Sequence, residues 1–188
     1  MALDAVRTAV FNALALLATD RAAHVRALAE IRAADTAQGP GTVAGLAELA
    51  FVRACLLDSV RLWPAAPMLV RVTAAETEWH GETLPIGSRV LIPVAAQHRA
   101  RRLPHANRFA PELWLDGSAD ADWQMNVFSR GGAQCAGRNL ALMLGTASLA
   151  ELLRQREFEL LNPELAPDRP LPYGINALSV RFAVRGAR

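Results

Sequence analysis

Cys135 is the residue of this sequence best placed to do chemistry. It closes the stretch Phe128-Ser129-Arg130-Gly131-Gly132-Ala133-Gln134 and is followed by Ala136-Gly137 and an apolar helical run. Glycines at 131, 132 and 137 let the backbone fold tightly against a flat or bulky group. A cysteine at the start of a helix meets unpaired backbone N–H groups and the positive end of the helix dipole, both of which favour the thiolate. Such a thiolate serves as a nucleophile or as an iron ligand, and a small buried core residue is the third alternative. Asp58 and Arg61, three residues apart, are neighbours on one helix face and read as a buried structural pair. Cys55 lies beside Ala54 and Leu56 on an apolar helix face and reads as core. His98 and His105 would be the bases for a thiol nucleophile, but no thiol-enzyme pattern surrounds them.

The elements that must position these residues follow from hydrophobic periodicity. Leu3 to Ala18 is almost continuously apolar and predicts a helix buried on most sides. Thr19 and Asp20 can cap a second, amphipathic helix over Arg21 to Ala34, with Val25, Leu28 and Ile31 on one face. Asp35 to Gly41 reads as a loop. Thr42 then caps a long helix over Val43 to Leu62, which Trp63-Pro64 ends. Met68 to Thr73 is β-rich, Glu76 to Trp79 followed by His80-Gly81-Glu82 resembles a hairpin, and Gly87 turns the chain into Val90-Leu91-Ile92. Residues 98 to 134 are dense in Pro, Gly, Asp and Arg, and so long an irregular stretch inside a compact domain is usually functional. From Cys135 an apolar helix runs through Leu140, Leu149 and Leu153, and short strands close the chain at Phe158 to Leu161 and Ala177 to Val184.

Composition bounds what these elements can build. The 188 residues are 52% hydrophobic and 20% charged, enough for a core and against disorder. The net charge of +2 is spread without a polybasic block, which argues against a nucleic-acid or membrane-surface role. All basic residues other than histidine are arginine and alanine abounds, the mark of a GC-rich bacterial genome. Two cysteines suit a reducing cytoplasm, and no apolar run approaches a membrane span. The expected location is cytoplasmic.

Four landmarks in order then resemble one family. Phe128, Gly131, Cys135 and Gly137 match F-x-x-G-x-[R/H]-x-C-x-G, the haem-binding signature of the cytochromes P-450. Asp58-Ser59-Val60-Arg61 stands where that family has a helical E-x-x-R, followed by Leu62-Trp63-Pro64. His98-Arg99 precedes Phe109-Ala110-Pro111-Glu112-Leu113-Trp114, which is similar to F-x-P-[E/D]-R-[F/W]. The resemblance runs from about Leu3 to Val184. It implies a mainly α fold with small β-sheets: long helices, β hairpins, an irregular meander, the cysteine loop and a following helix. It also implies that residues 1–188 form a partial domain, the C-terminal half of a larger fold with the N-terminal half absent.

By the same resemblance, Cys135 is the axial thiolate of haem b (iron protoporphyrin IX), the metal ligand, whose charge favours O–O cleavage. Phe128 packs near the sulfur, Gly131 and Gly137 allow close approach of loop and macrocycle, and Arg71 passes a haem propionate. A carboxylate suits the bidentate fork of an arginine. His98 and Arg99 are further candidates for that region. The implied function is a haem-thiolate monooxygenase, an oxidoreductase fed by a ferredoxin or flavoprotein and acting on a small organic substrate. Arg101, Arg102, Arg130 and Arg138 are the basic residues that would face an acidic donor.

The sequence also departs from the family. Asp58 replaces glutamate, Leu113 replaces the third arginine, and Ala133 replaces the usual propionate-binding residue, so the buried polar network is expected to be weaker. Aligned on Phe11 to Ala18, the distal-helix motif A-G-x-x-T falls at Val6, Arg7 and Val10, without its glycine or threonine. Thr8 would be the stand-in, but its displacement by two positions turns it about 200° around the helix. Haem binding by the chain alone is therefore expected to be weak and activity absent, with a non-catalytic remnant or a haem- or partner-binding module as the alternative.

Overall fold

In a computed structural model that describes residues 2–186, four helices enclose the core and three small antiparallel sheets lie at its margin. Helix α1 (Ala2–Thr19) is the central rod, burying Val10, Ala13, Leu14 and Leu17 against the other three. Asp20 caps α2 (Arg21–Gln38) by accepting the Ala23 N–H at 2.9 Å. That helix runs through the loop expected from Asp35. Asp35 accepts with both carboxylate oxygens from Nε and Nη2 of Arg154 on a later helix (2.7 and 2.8 Å), and the turn ends only at Gly39, whose positive φ of 84° needs glycine.

The long helix expected over 43–62 is two helices. Thr42 caps α3 (Val43–Glu48) through the Gly45 N–H, and the chain breaks at Leu49 before α4 (Ala50–Leu62). The Glu30 carboxylate of α2 causes the break, accepting the Phe51 and Val52 N–H groups at 2.8 and 2.9 Å as an N-cap supplied from another helix. Cys55 is fully buried in this core, as its neighbours in sequence imply.

Beyond Pro67, β1 (Leu69–Val72) pairs with β4 (Arg89–Ile92), and between them β2 (Thr77–Trp79) and β3 (Glu82–Leu84) form a hairpin. A short helix, α5 (Val94–His98), follows, then an irregular segment containing a 3-10 turn at Pro111–Trp114, α6 (Ser118–Ala121) and a second 3-10 turn at Gly131–Ala133. Helix α7 (Arg138–Gln155) starts three residues after Cys135 rather than at it. It crosses α4 so closely that a Cβ on Gly145 would come within 2.5 Å of Leu56. Strands β5 (Arg156–Asn162) and β6 (Arg181–Gly186) close the chain. The last strand starts later than expected because Asn176 folds residues 176–179 into a turn, its side chain accepting the Leu178 N–H. The mainly α class with small sheets is the one expected.

Candidate functional site

A buried polar hub on α4 is the fixed point around which the site is built. Asp58 and Arg61 are both fully buried and joined by Arg61 Nε to Asp58 Oδ1 at 2.5 Å and Nη2 to Oδ2 at 3.1 Å. The remaining guanidinium donors reach the carbonyls of His98 (3.4 Å), Ala106 (3.5 Å) and Arg108 (2.7 Å). The carboxylate takes two more donors, the Ala110 backbone N–H at 2.8 Å and the Trp114 indole Nε1 at 3.1 Å. A buried ion pair is stable only when its other lone pairs and protons are also used, and these are. The network expected to be weaker thus has a partner for each side-chain oxygen and guanidinium nitrogen. Trp114, next to Leu113, and a backbone amide supply what the missing arginine does not.

The hub holds the irregular segment, and that segment holds the cysteine loop. A second buried cation, Arg99, binds Asn107 Oδ1 and the carbonyls of Leu62, Leu171 and Pro172, clipping the end of α4 to the meander. Neither His98 nor Arg99 lines the cavity described below, so neither reaches the position considered for them. At the loop itself the Cys135 N–H donates to Phe128 O at 2.8 Å, so this amide is paired, unlike the helix-start amide expected from the sequence. Gly131 adopts φ +66° and Ser129 φ +60°. A β-carbon on Gly131 would touch nothing, so its conformation and not its surroundings calls for glycine.

Cys135 is exposed on the wall of a cavity of about 400 Å³. Phe128, Ala133 and Gly137 also line it, while Gly131 lies outside the lining. The first half of α1 contributes Leu3, Val6, Thr8 and Ala9, and α7 adds Leu140 and Leu144. Val10 is instead buried in the helical core, and Arg7 is exposed beside Asp4. Among the lining residues from α1, Thr8 carries the one hydroxyl. Arg71 on β1 stands at the margin, its Nη2 donating to Ser129 Oγ at 2.6 Å. The surface is strongly apolar and open, with Leu3 74% and Leu140 56% exposed.

The surrounding arginines are less free than expected. Arg130 is half-buried and donates to the carbonyls of Asp120, Asp122 and Met125, while Arg138 is paired with Asp120 at 3.4 Å. Arg102 binds Gln124, and Arg101 remains exposed. Among the described residues, no helix is long and apolar enough to cross a membrane.

The Trp114 and Ser129 contacts were not anticipated. Trp114 had a signal in its place beside Leu113 in the matched segment. Ser129 had none, because its partner is 58 residues away.

Comparison with known proteins agrees with this architecture. The family model described as Cytochrome P450 matches residues 2–178. The chain is 38% identical over 104 residues to cyclooctat-9-en-7-ol 5-monooxygenase of Streptomyces melanosporofaciens, covering 54% of this chain and 23% of that protein. It is 30% identical over 155 residues to cytochrome P450 3A29 of Sus scrofa, covering 79% and 31%. It is also 30% identical over 127 residues to methyltetrahydroprotoberberine 14-monooxygenase of Papaver somniferum, covering 64% and 24%. The chain thus spans about a quarter to a third of these relatives' length. They come from a bacterium, a mammal and a plant, so the likeness speaks to the family and not to the source.

Proposed function

The chain belongs to the cytochrome P450 family, and on that premise we propose that it carries the haem-thiolate site of a monooxygenase, with Cys135 as the axial ligand of haem b. The observation that carries this reading is the cavity itself: an apolar slot with a single accessible thiol on one wall and a guanidinium at its edge. That combination suits a flat apolar disc with an iron centre and an anionic rim. When bound, haem supplies the activation of molecular oxygen, with one oxygen atom entering a small organic substrate on reduction by a paired electron donor.

The chain's own residues then have separate tasks. Cys135 offers its sulfur from a loop whose backbone is fixed by the Phe128 carbonyl. Phe128 gives the sulfur an apolar neighbour, and Gly131 provides the left-handed turn that aims the loop. Gly137 lies beside the sulfur, where a β-carbon would make ordinary contact with Cys135 Sγ at 4.0 Å, and by the family resemblance it admits the macrocycle. Arg71, already steadied by Ser129, binds a propionate. Thr8 supplies the α1 hydroxyl of the cavity lining. The electron donor is a ferredoxin or flavoprotein, and the exposed Arg101 and Arg102 are the charges left to meet an acidic one.

The open apolar wall limits how tightly these 188 residues hold haem. Reconstitution of the chain with haem, reduction and addition of carbon monoxide tests both points. We expect a thiolate-type ferrous–carbon monoxide spectrum that appears only with excess haem and is lost in Cys135→Ala. An unchanged spectrum in that variant would remove Cys135 as ligand, and tight stoichiometric uptake would overturn the expectation of loose binding.

A further inference from the structure

His98 ends α5, fully buried, and its Nε2 lies 2.9 Å from the backbone nitrogen of Asn126. A peptide N–H can only donate. Nε2 is therefore the unprotonated acceptor, and the ring proton sits on Nδ1, which is buried with no partner among the described residues. Asn126 is part of the cavity wall, and two residues further on Phe128 accepts the Cys135 N–H. At its other end the His98 carbonyl accepts from Arg61 of the α4 hub. One residue thereby joins the rigid hub to the backbone that leads into the cysteine loop.

We propose that His98 is a positioning residue for the cysteine loop, a neutral imidazole that holds the Asn126 backbone as an acceptor and releases it when protonated. The inference rests on the reading of Cys135 as haem ligand only for its consequence in haem binding; the latch itself is a property of the chain.

Protonation would place a second N–H against the Asn126 N–H, two donors with no acceptor between them. The surroundings resist that charge. Burial is the main cause that lowers the His98 pKa from 6.5 to about 4, while Asp122 and Asp58 act in the opposite sense. The charged groups facing it are Asp58 and Arg61 from α4, Asp122 from the meander and the adjacent Arg99, and His105 shares the first three as neighbours. The folded value lies below the ordinary one, so the opened form takes up the proton first. The contact is at full strength above about pH 6.5, weakens as pH falls towards about 4, and levels off below that.

Hydrogen exchange at the Asn126 amide of the full chain reads this contact directly, without haem. In the wild type, we expect protection to fall by up to about a hundredfold between pH 6.5 and pH 4. His98→Gln keeps an acceptor near the Nε2 position and does not titrate there, so its protection should stay flat. His98→Leu should lack protection throughout and bind haem about tenfold more weakly, with His98→Gln restoring the affinity. A flat wild-type profile, or a His98→Gln profile that falls in step with it, overturns the proposal. So does unchanged haem affinity in a folded His98→Leu. Should His98→Leu not fold, the wild-type and His98→Gln profiles decide alone. Loss of the Cys135 assignment would show separately, as haem binding indifferent to Cys135→Ala, and would leave the exchange profiles to judge the latch.

Discussion

The Asp58–Arg61 hub and the Cys135 loop are linked through the meander and are built on opposite terms. At the hub each charged atom is out of water, the guanidinium has acceptors from Asp58, His98, Ala106 and Arg108, and the carboxylate has further donors from Ala110 and Trp114. At the loop, residues 131–137 are exposed and the sulfur faces an open apolar cavity. The contrast shows a division of labour. Geometry is set where water is excluded and alternatives are costly, and chemistry is offered where a large group can enter. Between the two run thin connections, the His98–Asn126 contact and the Arg130 carbonyl contacts, while the Arg71–Ser129 contact ties the loop to β1.

Breaking the hub is expected to have the largest effect. Arg61→Leu leaves Asp58 as a buried unpaired charge and strands three carbonyls, which costs about 3–5 kcal/mol. Denaturant unfolding should show a loss of that size, or no cooperative fold at all. A loss below about 1 kcal/mol would mean that the pair is replaceable and is not the fixed point of the site. Trp114→Phe removes one donor from the Asp58 carboxylate and should cost about 1–2 kcal/mol. A neutral outcome would show that the indole does not stand in for the missing arginine. At the other extreme, Cys135→Ser should change stability by less than about 0.5 kcal/mol, because the side chain is exposed and packs no core. A large loss there would make the loop part of the framework and erase the contrast.

Local patterns determined much of this molecule. The apolar run of α1, the capping side chains of Asp20 and Thr42, the Trp63-Pro64 stop and the glycine-rich approach to Cys135 act within a few residues of themselves. Such features can be read along the chain because backbone propensity and capping are short-range. The family landmarks extended that reading to the residues gathered around the cavity.

What the sequence could not decide depends on side chains meeting backbone from far along the chain. Glu30 divides an expected single helix by capping Phe51 and Val52, 21 and 22 residues away. Arg154 keeps Asp35 helical from a distance of 119 residues. Trp114 completes the carboxylate shell of Asp58 across 56 residues, and His98 holds Asn126 across 28. Each contact is worth making only after packing has excluded water from both partners, since the same groups in an open chain are satisfied by solvent. The residue types that do the chemistry were therefore present in the sequence, and their fixed positions were created only when the core closed around them.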